Sequence, residues 1–421
     1  MHPSPSAAPS PATAGAPAPA PREAADPARV PTITLVGPRG FGLHYRTRIA
    51  ALAAQGRARL GAVVNHRDPG ELEHVPEGTP WFATLEENLA SEDPAVRPDV
   101  VVVATPMHTH RALAETAMRA GCDVMLEKPP TPSAADHAAL LEVVRETGRL
   151  CQVGFQTFGS TALDTARQML ADGVVGEVRH VGTVGSWTRT RAYWERSAWA
   201  GKRRVDGVDV VDGVVTNPLA HAVVTALELG GVGRSEQVAS VEVDLYHANP
   251  IEADDTSSVL VRSVDGPTFS FAFTLCAPVR TPARITVHGS DARLVLYYET
   301  DRIEVHRPEG VELLSGDRVP LLDDLLDARL RGDGVLRCPL EATGAFTQVL
   351  EAVRVAPDPL PVPEDLVTWT GEGDAARPVV AEVEAWSDRV ADGPALFRDL
   401  GAPWTVSTAG RGPSSSTSPS S

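Results

Sequence analysis

Between residues 29 and 152 short apolar runs alternate with segments of helical period. Ile33–Val36 reads as a buried strand, followed by a glycine-rich turn and a helix over Leu43–Gln55 that Gly56 stops. Arg59–Val64 gives a second strand. Val100–Ala104 gives a third, apolar throughout, as strands covered on both faces tend to be. The pattern then predicts a helix over Arg111–Ala120 closed by Gly121 and a strand over Asp123–Glu127. A helix capped by Ser133 follows, with Asp136 as the acidic capping-box partner and Gly148 as the stop, and then a strand over Leu150–Phe155. Strand and helix alternating at this spacing build a doubly wound parallel sheet, the Rossmann arrangement of a dinucleotide-binding domain.

After Phe155 the pattern changes. It predicts a helix over Asp164–Leu170, a strand over Glu177–Gly185, a helix over Pro218–Leu229 and a succession of strands from Ala239 to about His306. Thr268–Cys276 puts Phe269, Phe271, Phe273 and Leu275 on one face and mostly small residues on the other, and Asp265-Gly266 is a hairpin signal before it. Residues 153–406 therefore read as an α+β domain with a largely antiparallel sheet. If the small-residue face is flat, a second sheet or a second subunit covers it, which points to a homo-oligomer, a dimer or tetramer. A helix around Val379–Arg389 ends the ordered part and packs back on the fold. The Ala/Pro/Ser-rich stretch 1–28 and the Ser-rich stretch 407–421 hold too few large apolar groups to offset their ordering entropy and are expected to be disordered.

Composition narrows the function. Of 421 residues 43% are apolar and 22% charged, as in globular proteins generally. A net charge of −17 argues against nucleic acid or an anionic membrane as partner. The start of the chain carries no signal-peptide pattern, and no apolar run is long enough for a membrane span. Cys122, Cys151, Cys276 and Cys338 form no CxxC pair, so neither a disulfide framework nor a metal site is expected, and buried free thiols suit a cytoplasmic location.

The candidate chemistry lies at the ends of the early strands. Gly37-Pro-Arg39-Gly40-Phe41-Gly42 follows the first strand and opens a helix, where a dinucleotide pyrophosphate meets backbone N–H groups and the positive helix end. Arg39 occupies the second glycine position of GxGxxG, crowding the phosphates or turning out to pair with one. After the second strand, Asn65-His66-Arg67 offers an amide and a cation where NAD enzymes usually present an acid, a lean towards NADP over NAD, although Asp68 is near enough to reach the ribose. Thr105-Pro106-Met107-His108-Thr109-His110 sits at the carboxyl end of the third strand named above, where open α/β sheets bind ligands. There His110 either lines the nicotinamide pocket or begins the next helix with a structural hydrogen bond, and His108 faces solvent. Glu127-Lys128-Pro129-Pro130 is the sharpest feature: two ions at an apolar strand end, held by prolines. A lysine fixed beside a nicotinamide can stabilise a developing alkoxide or relay its proton.

These segments resemble the Gfo/Idh/MocA family of oxidoreductases, named for glucose–fructose oxidoreductase, inositol dehydrogenase and rhizopine catabolism. The most specific block runs from Val101-Val-Val-Ala-Thr-Pro106 through His110 to Ala120-Gly-Cys-Asp-Val-Met-Leu-Glu-Lys-Pro129. Gly173-Val-Val-Gly-Glu177, Trp199-Ala-Gly201 and Asp255-Thr256 add to it. The resemblance spans about residues 31–405. It implies an open-faced second sheet and hydride transfer between NAD or NADP and a sugar, polyol or similar alcohol, with Lys128 contacting both substrate and nicotinamide. It also implies an Asp and a His four residues apart. In Gly213-Val-Val-Thr-Asn217-Pro-Leu-Ala-His221 the histidine stands and the acid is Asn217, which with Pro218 reads as a helix N-cap. His221 then falls in the first helical turn, whose positive end favours neutral imidazole able to take a hydroxyl proton. On residue chemistry alone it is equally a core histidine with a satisfied hydrogen bond, and the resemblance implies the catalytic role, with Asn217 and His221 at the substrate. The aromatic and cationic segment Trp187-Thr-Arg-Thr-Arg191-Ala-Tyr193-Trp194-Glu-Arg196 suits a sugar or carboxylate-bearing ligand and equally packing or a subunit contact. Family position places it near the substrate, with Arg191, Tyr193 and Arg196 as candidate contacts. Two other readings stay open: a redox-neutral glycosidase or epimerase that recycles its cofactor, and a non-catalytic dinucleotide or sugar sensor.

Overall fold

A computed structural model describes residue 26 and residues 29–405. Apart from residue 26, both tails expected to be disordered lie outside the described residues. The first part alternates strand and helix: β1 (Thr32–Val36), α1 (Gly42–Ala54), β2 (Arg59–Val64), β3 (Trp81–Phe82), α2 (Leu85–Leu89), β4 (Val100–Val103), α3 (His110–Arg119), β5 (Asp123–Leu126), α4 (Ala134–Thr147) and β6 (Cys151–Val153). The six strands form one parallel sheet in the order β3-β2-β1-β4-β5-β6. Every residue of β1, β4, β5 and β6 is buried, as a sheet covered on both faces requires. Ser133 caps α4 by accepting the Asp136 N–H, and Gly148 closes that helix at φ +62°. The order reverses beside β1, so the carboxyl ends of β1, β4 and β5 open onto one crevice.

The chain continues through α5 (Thr161–Ala171), β7 (Val178–Ser186), α6 (Arg191–Trp194), the hairpin strands β8 (Arg204–Val205) and β9 (Val208–Asp209), and α7 (Ala220–Leu229). β10 (Val238–His247), β11 (Thr256–Ser263), β12 (Thr268–Thr274), β13 (Arg284–Gly289), β14 (Arg293–Tyr297), β15 (Arg302–Arg307) and β16 (Gly310–Ser315) follow. The last elements are α8 (Leu321–Arg331), α9 (Gly344–Val355), β17 (Leu360–Pro361), β18 (Val367–Thr370), β19 (Arg377–Val380), α10 (Val383–Ala391) and α11 (Phe397–Leu400). Nine strands form a second sheet, β16-β15-β14-β13-β7-β12-β11-β10-β17, antiparallel except where β7 meets β12 and β10 meets β17. Phe269, Phe271 and Phe273 are fully buried, and α7 packs against β7, β12 and β13.

The small-residue face is covered, over β7, β11 and β12, by the chain's own C-terminal segment. Gly182 lies so close to α10 that a Cβ there would stand 1.8 Å from the Ala391 carbonyl. Ser270 donates to the Gly393 carbonyl, Ser258 accepts the Phe397 N–H, and Ala272, Phe397 and Trp404 share a buried cluster. Smallness on this face is thus explained by a helix of the same chain, without a second subunit.

The chain also returns to its first half. On α8, Asp323 pairs with Arg48 and Arg57 of the first half, and Arg329 pairs with the buried Asp123. Beside β6, Val153 donates to the Cys338 carbonyl at 2.8 Å and Gln152 bonds Asp324 at 2.7 Å. α9 packs on α4.

Candidate active site

Glu127 and Lys128 leave β5 at its carboxyl end, and the Lys128–Pro129 peptide is cis. The Glu127 carboxylate is buried; it accepts the Tyr45 O–H at 2.5 Å and the Lys128 N–H at 3.1 Å. Burial pushes its pKa up, against the pull of the Tyr45 hydrogen bond and the Lys128 charge. The Lys128 ammonium instead donates to Asn217 Oδ1 at 2.9 Å. Burial lowers the Lys128 pKa, opposed by the carboxylates of Glu127 and Asp212 and reinforced by Arg196.

Asn217 continues the chain of contacts, its Nδ2 donating to Asp212 Oδ1. Asp212 Oδ2 accepts from Arg196 at 2.9 Å and from the Gly201 N–H at 2.8 Å. The turn that carries Asp212 is strained, since the β-branched Val211 before it sits at φ +45°. Thr216 Oγ1 and the Gly213 N–H both bond the Val211 carbonyl and hold that turn. Sequence reasoning missed Asp212. Its signal, an acid five residues before Asn217, follows no helical or strand period.

Asn217 is also not the expected helix cap. α7 begins two residues later than predicted, with Leu219 at its N-cap, because the Asn217 side chain is committed to Lys128 and Asp212. His221 lies in the first turn as expected, with Nδ1 buried and unpartnered among the described residues and its ring edge-to-face with Phe155. Its pKa falls to about 3, mainly through burial, with the Lys128 and Arg318 charges adding to it. The lowering expected from the helix end is thus found in direction, with burial and the neighbouring cations as its causes.

A cavity of about 460 Å³ opens at Lys128. Phe41, Thr105, Pro106, Met107 and His108 line it from the first half, Glu127, Lys128, Asp212 and Asn217 supply its polar groups, and Trp199, Val205, Val208, Val210 and Val211 line it from the β8–β9 hairpin and its flanks. The hairpin is anchored at its root. Arg203 donates to the carbonyls of Val353, Arg354 and Ala356 at the C-terminus of α9, and Asp209 pairs with Arg354.

The turn after β1 fits a pyrophosphate. Gly37 sits at φ +80°, where an added Cβ would be 2.6 Å from the Ala104 carbonyl, and one on Gly42 would be 2.2 Å from the Gly37 carbonyl. Gly40 lies at φ +56°. Among the described residues no protein acceptor takes the N–H groups of Arg39, Gly40 and Phe41. Arg39 turns outwards and donates to the Pro69 carbonyl at 2.7 Å, so its side chain does not crowd the turn. At the end of β2, Asn65 bonds the Arg67 carbonyl, Asp68 accepts the Gly70 N–H, and Arg67 is exposed.

Three expected contacts lie elsewhere. His110 is buried with Nδ1 at 2.9 Å from the Pro129 carbonyl and Nε2 at 2.8 Å from the Thr105 carbonyl, so it braces the two functional loops and does not line the cavity. His108 is exposed, as expected, and borders the cavity. Arg191 opens onto a different cavity beside Trp194 and Trp369. Tyr193 is stacked between Arg189 and Arg196, whose guanidinium carbons lie 4.8 and 3.9 Å from its ring centre. Of the three candidates in that segment, Arg196 reaches the site, through Asp212.

A doubly wound sheet with a glycine-cradled turn, facing a lysine at the adjoining strand ends, defines a dinucleotide-dependent oxidoreductase. Residues 34–155 match the model of an oxidoreductase family with an NAD-binding Rossmann fold, and residues 163–295 match the GFO/IDH/MocA C-terminal domain. The chain belongs to the GFO/IDH/MocA family of oxidoreductases. It is 26% identical over 349 residues to an uncharacterised oxidoreductase of Escherichia coli, covering 82% of this chain and 91% of that one. It is 29% identical over 288 residues to inositol 2-dehydrogenase of Rhizobium meliloti, covering 68% and 80%. Among solved structures, an inositol dehydrogenase homologue of Azotobacter vinelandii complexed with NAD+ shares the fold, with a TM-score of 0.64 at 21% identity, covering 78% of this chain and 96% of that one.

Proposed function

We propose that this oxidoreductase moves a hydride between a nicotinamide cofactor and a secondary alcohol of a sugar, polyol or related small molecule. The observation that carries the reading is the Lys128 ammonium, held by Asn217 in a cavity that the dinucleotide turn and the Thr105–His108 loop also line. The similarity to an inositol 2-dehydrogenase supports the substrate class. The amides of Arg39, Gly40 and Phe41 would hold the pyrophosphate, and Thr105, Pro106 and Glu127 would border the nicotinamide ribose. When bound, the cofactor supplies a hydride acceptor or donor. Lys128 donates to the substrate oxygen, stabilises its developing negative charge and exchanges its proton, a role its lowered pKa favours. His221 enters as a neutral hydrogen-bonding group. A pKa of about 3 makes it too weak a base to hold the proton at neutral pH.

Preference for NADP over NAD belongs to the same proposal, because the residue that follows β2 is the uncharged Asn65 and Arg67 is exposed beside it, while Asp68 accepts only the Gly70 N–H and is the competing ribose contact. The four buried free thiols support a cytoplasmic location. A homo-oligomer, dimer or tetramer, remains part of the proposal, and light scattering in solution decides it. The exposed Val311 and Leu313 of β16 are the surface that supports it.

The test is turnover of NAD+ and NADP+ with a panel of inositols and sugars, alongside fluorescence titration of NADH and NADPH. Net cofactor reduction is expected, with NADPH bound more tightly. Lys128→Met should keep cofactor affinity and lose about 10²–10⁴-fold in kcat. Failure to bind either cofactor would sink the reading, and substrate conversion without net reduced cofactor would point to the redox-neutral alternative.

A further inference from the structure

We infer that Asp212 is a positioning residue of this site: through the Asn217 amide it fixes which atom faces Lys128, and it keeps a negative charge one amide away from that ammonium. The inference rests on the proposed role of Lys128.

An asparagine side chain has a donor end and an acceptor end, and nothing intrinsic chooses between them. Asp212 chooses here. Its carboxylate already accepts from Arg196 and from the Gly201 N–H, and it takes the Asn217 Nδ2–H as a third donor. Asn217 Oδ1 must then face the other way, onto the Lys128 ammonium. No other side-chain hydrogen bond holds Asn217 among the described residues. With a neutral group at 212 the amide could turn its N–H towards Lys128, a contact that repels an ammonium.

Asp212 is itself fixed from three sides. Arg196 is stacked on the rings of Tyr193 and Trp199, at 3.9 and 4.7 Å, which sets the guanidinium that grips the carboxylate. The Gly201 N–H comes from the turn after Trp199, and the strained backbone at Val211 aims the side chain. Only 2% of Asp212 is exposed, yet that remainder lines the same cavity as Lys128 and Asn217. A carboxylate that served the backbone alone would have no reason to border the cavity. The acid that the family pattern puts at 217 is thus supplied from 212 and relayed by the amide.

The charged and titratable groups around Lys128 are Glu127 beside it at the end of β5, with Tyr45 of α1 bonded to it, Asp212 and Arg196 from the second half, and His221 on α7. His108 and Asp206 also line the cavity. Of these, only Asp212 reaches Lys128 through a hydrogen-bonded amide.

The test reads the lysine directly and needs no turnover. Purified full-length protein is labelled with acetic anhydride across a pH series, and the peptide containing Lys128 is quantified by mass spectrometry. Asp212→Asn should lower the midpoint of Lys128 reactivity by about one pH unit. Asn217→Leu, which cuts the link and leaves Asp212 in place, should lower it similarly. The exchanged double variant, Asp212→Asn with Asn217→Asp, should return the midpoint to the wild-type value or above. In turnover assays Asp212→Asn should lose at least tenfold in kcat with little change in cofactor KM, and the exchanged variant should regain most of it. If Asp212→Asn does not fold, Asn217→Leu and the exchanged variant still decide. An unmoved midpoint in a folded Asp212→Asn or Asn217→Leu variant, or an exchanged variant that folds without recovering it, overturns the assignment. A wild-type protein that turns over no alcohol defeats the hydride-transfer reading and leaves the labelling result to judge Asp212 alone.

Discussion

Three histidines are held neutral inside the protein, and they tie its stability to pH. Burial takes His110 and His180 to about 4 and His221 to about 3. In the unfolded chain each returns to about 6.5 and binds protons the folded state refuses. Their contribution is complete above pH 6.5 and is lost as pH falls from there towards 4, since the unfolded state then binds more protons. The buried carboxyls of Glu127, Asp254 and Asp255, which burial pushes up, act with the opposite sign, so the histidine contribution is read by difference. In denaturant unfolding His110→Asn should lose less stability than the wild type between pH 7.5 and 4.5. An equal loss in the two proteins would contradict this account. At this scale the sequence was informative where one residue carried its own context. Lys128 was legible because a strand end and two prolines surround it. His110 was readable only as two alternatives, and the structure selects the structural one. Asp212 was not legible, because its partners Arg196, Gly201 and Asn217 come from three separate turns that only folding brings together.

Among elements, the strands and helices that the hydrophobic period announced in the first half lie within a residue or two of their expected bounds, whereas the short β3 and α2 were not announced by it. The β8–β9 hairpin has no such period. Its strands are two residues each, and it owes its place to side chains at its root, above all Arg203 capping α9. Arg203→Ala should release it. Limited proteolysis should then cut within residues 203–211 several times faster than in the wild type, and substrate KM should rise more than cofactor KM. Unchanged cleavage would show that the Arg203 contacts are not what holds it. α7 illustrates a local signal overridden: Asn217-Pro218 has the chemistry of a helix start, but the amide's partners in the site outcompete the cap.

At the scale of the whole molecule the two sheets were foreseeable, one parallel and one largely antiparallel, and the covering of the second was not. Small residues along β7 and β12 show that something approaches closely, without saying whether it is another chain or this one. Nor does any local pattern reveal that the chain crosses back, so that α8 and the 337–340 segment complete the free side of β6. That return has a consequence for how the protein is made. During synthesis the N-terminal sheet emerges first, but Asp123 and Gln152 meet Arg329 and Asp324 only after residues up to about 340 have left the ribosome, on the order of ten to forty seconds later. Ribosome-bound chains stalled near residue 200 should be digested readily within residues 29–152, and chains stalled near residue 390 should resist. The cofactor-binding half is in this sense finished from the far end of its own message.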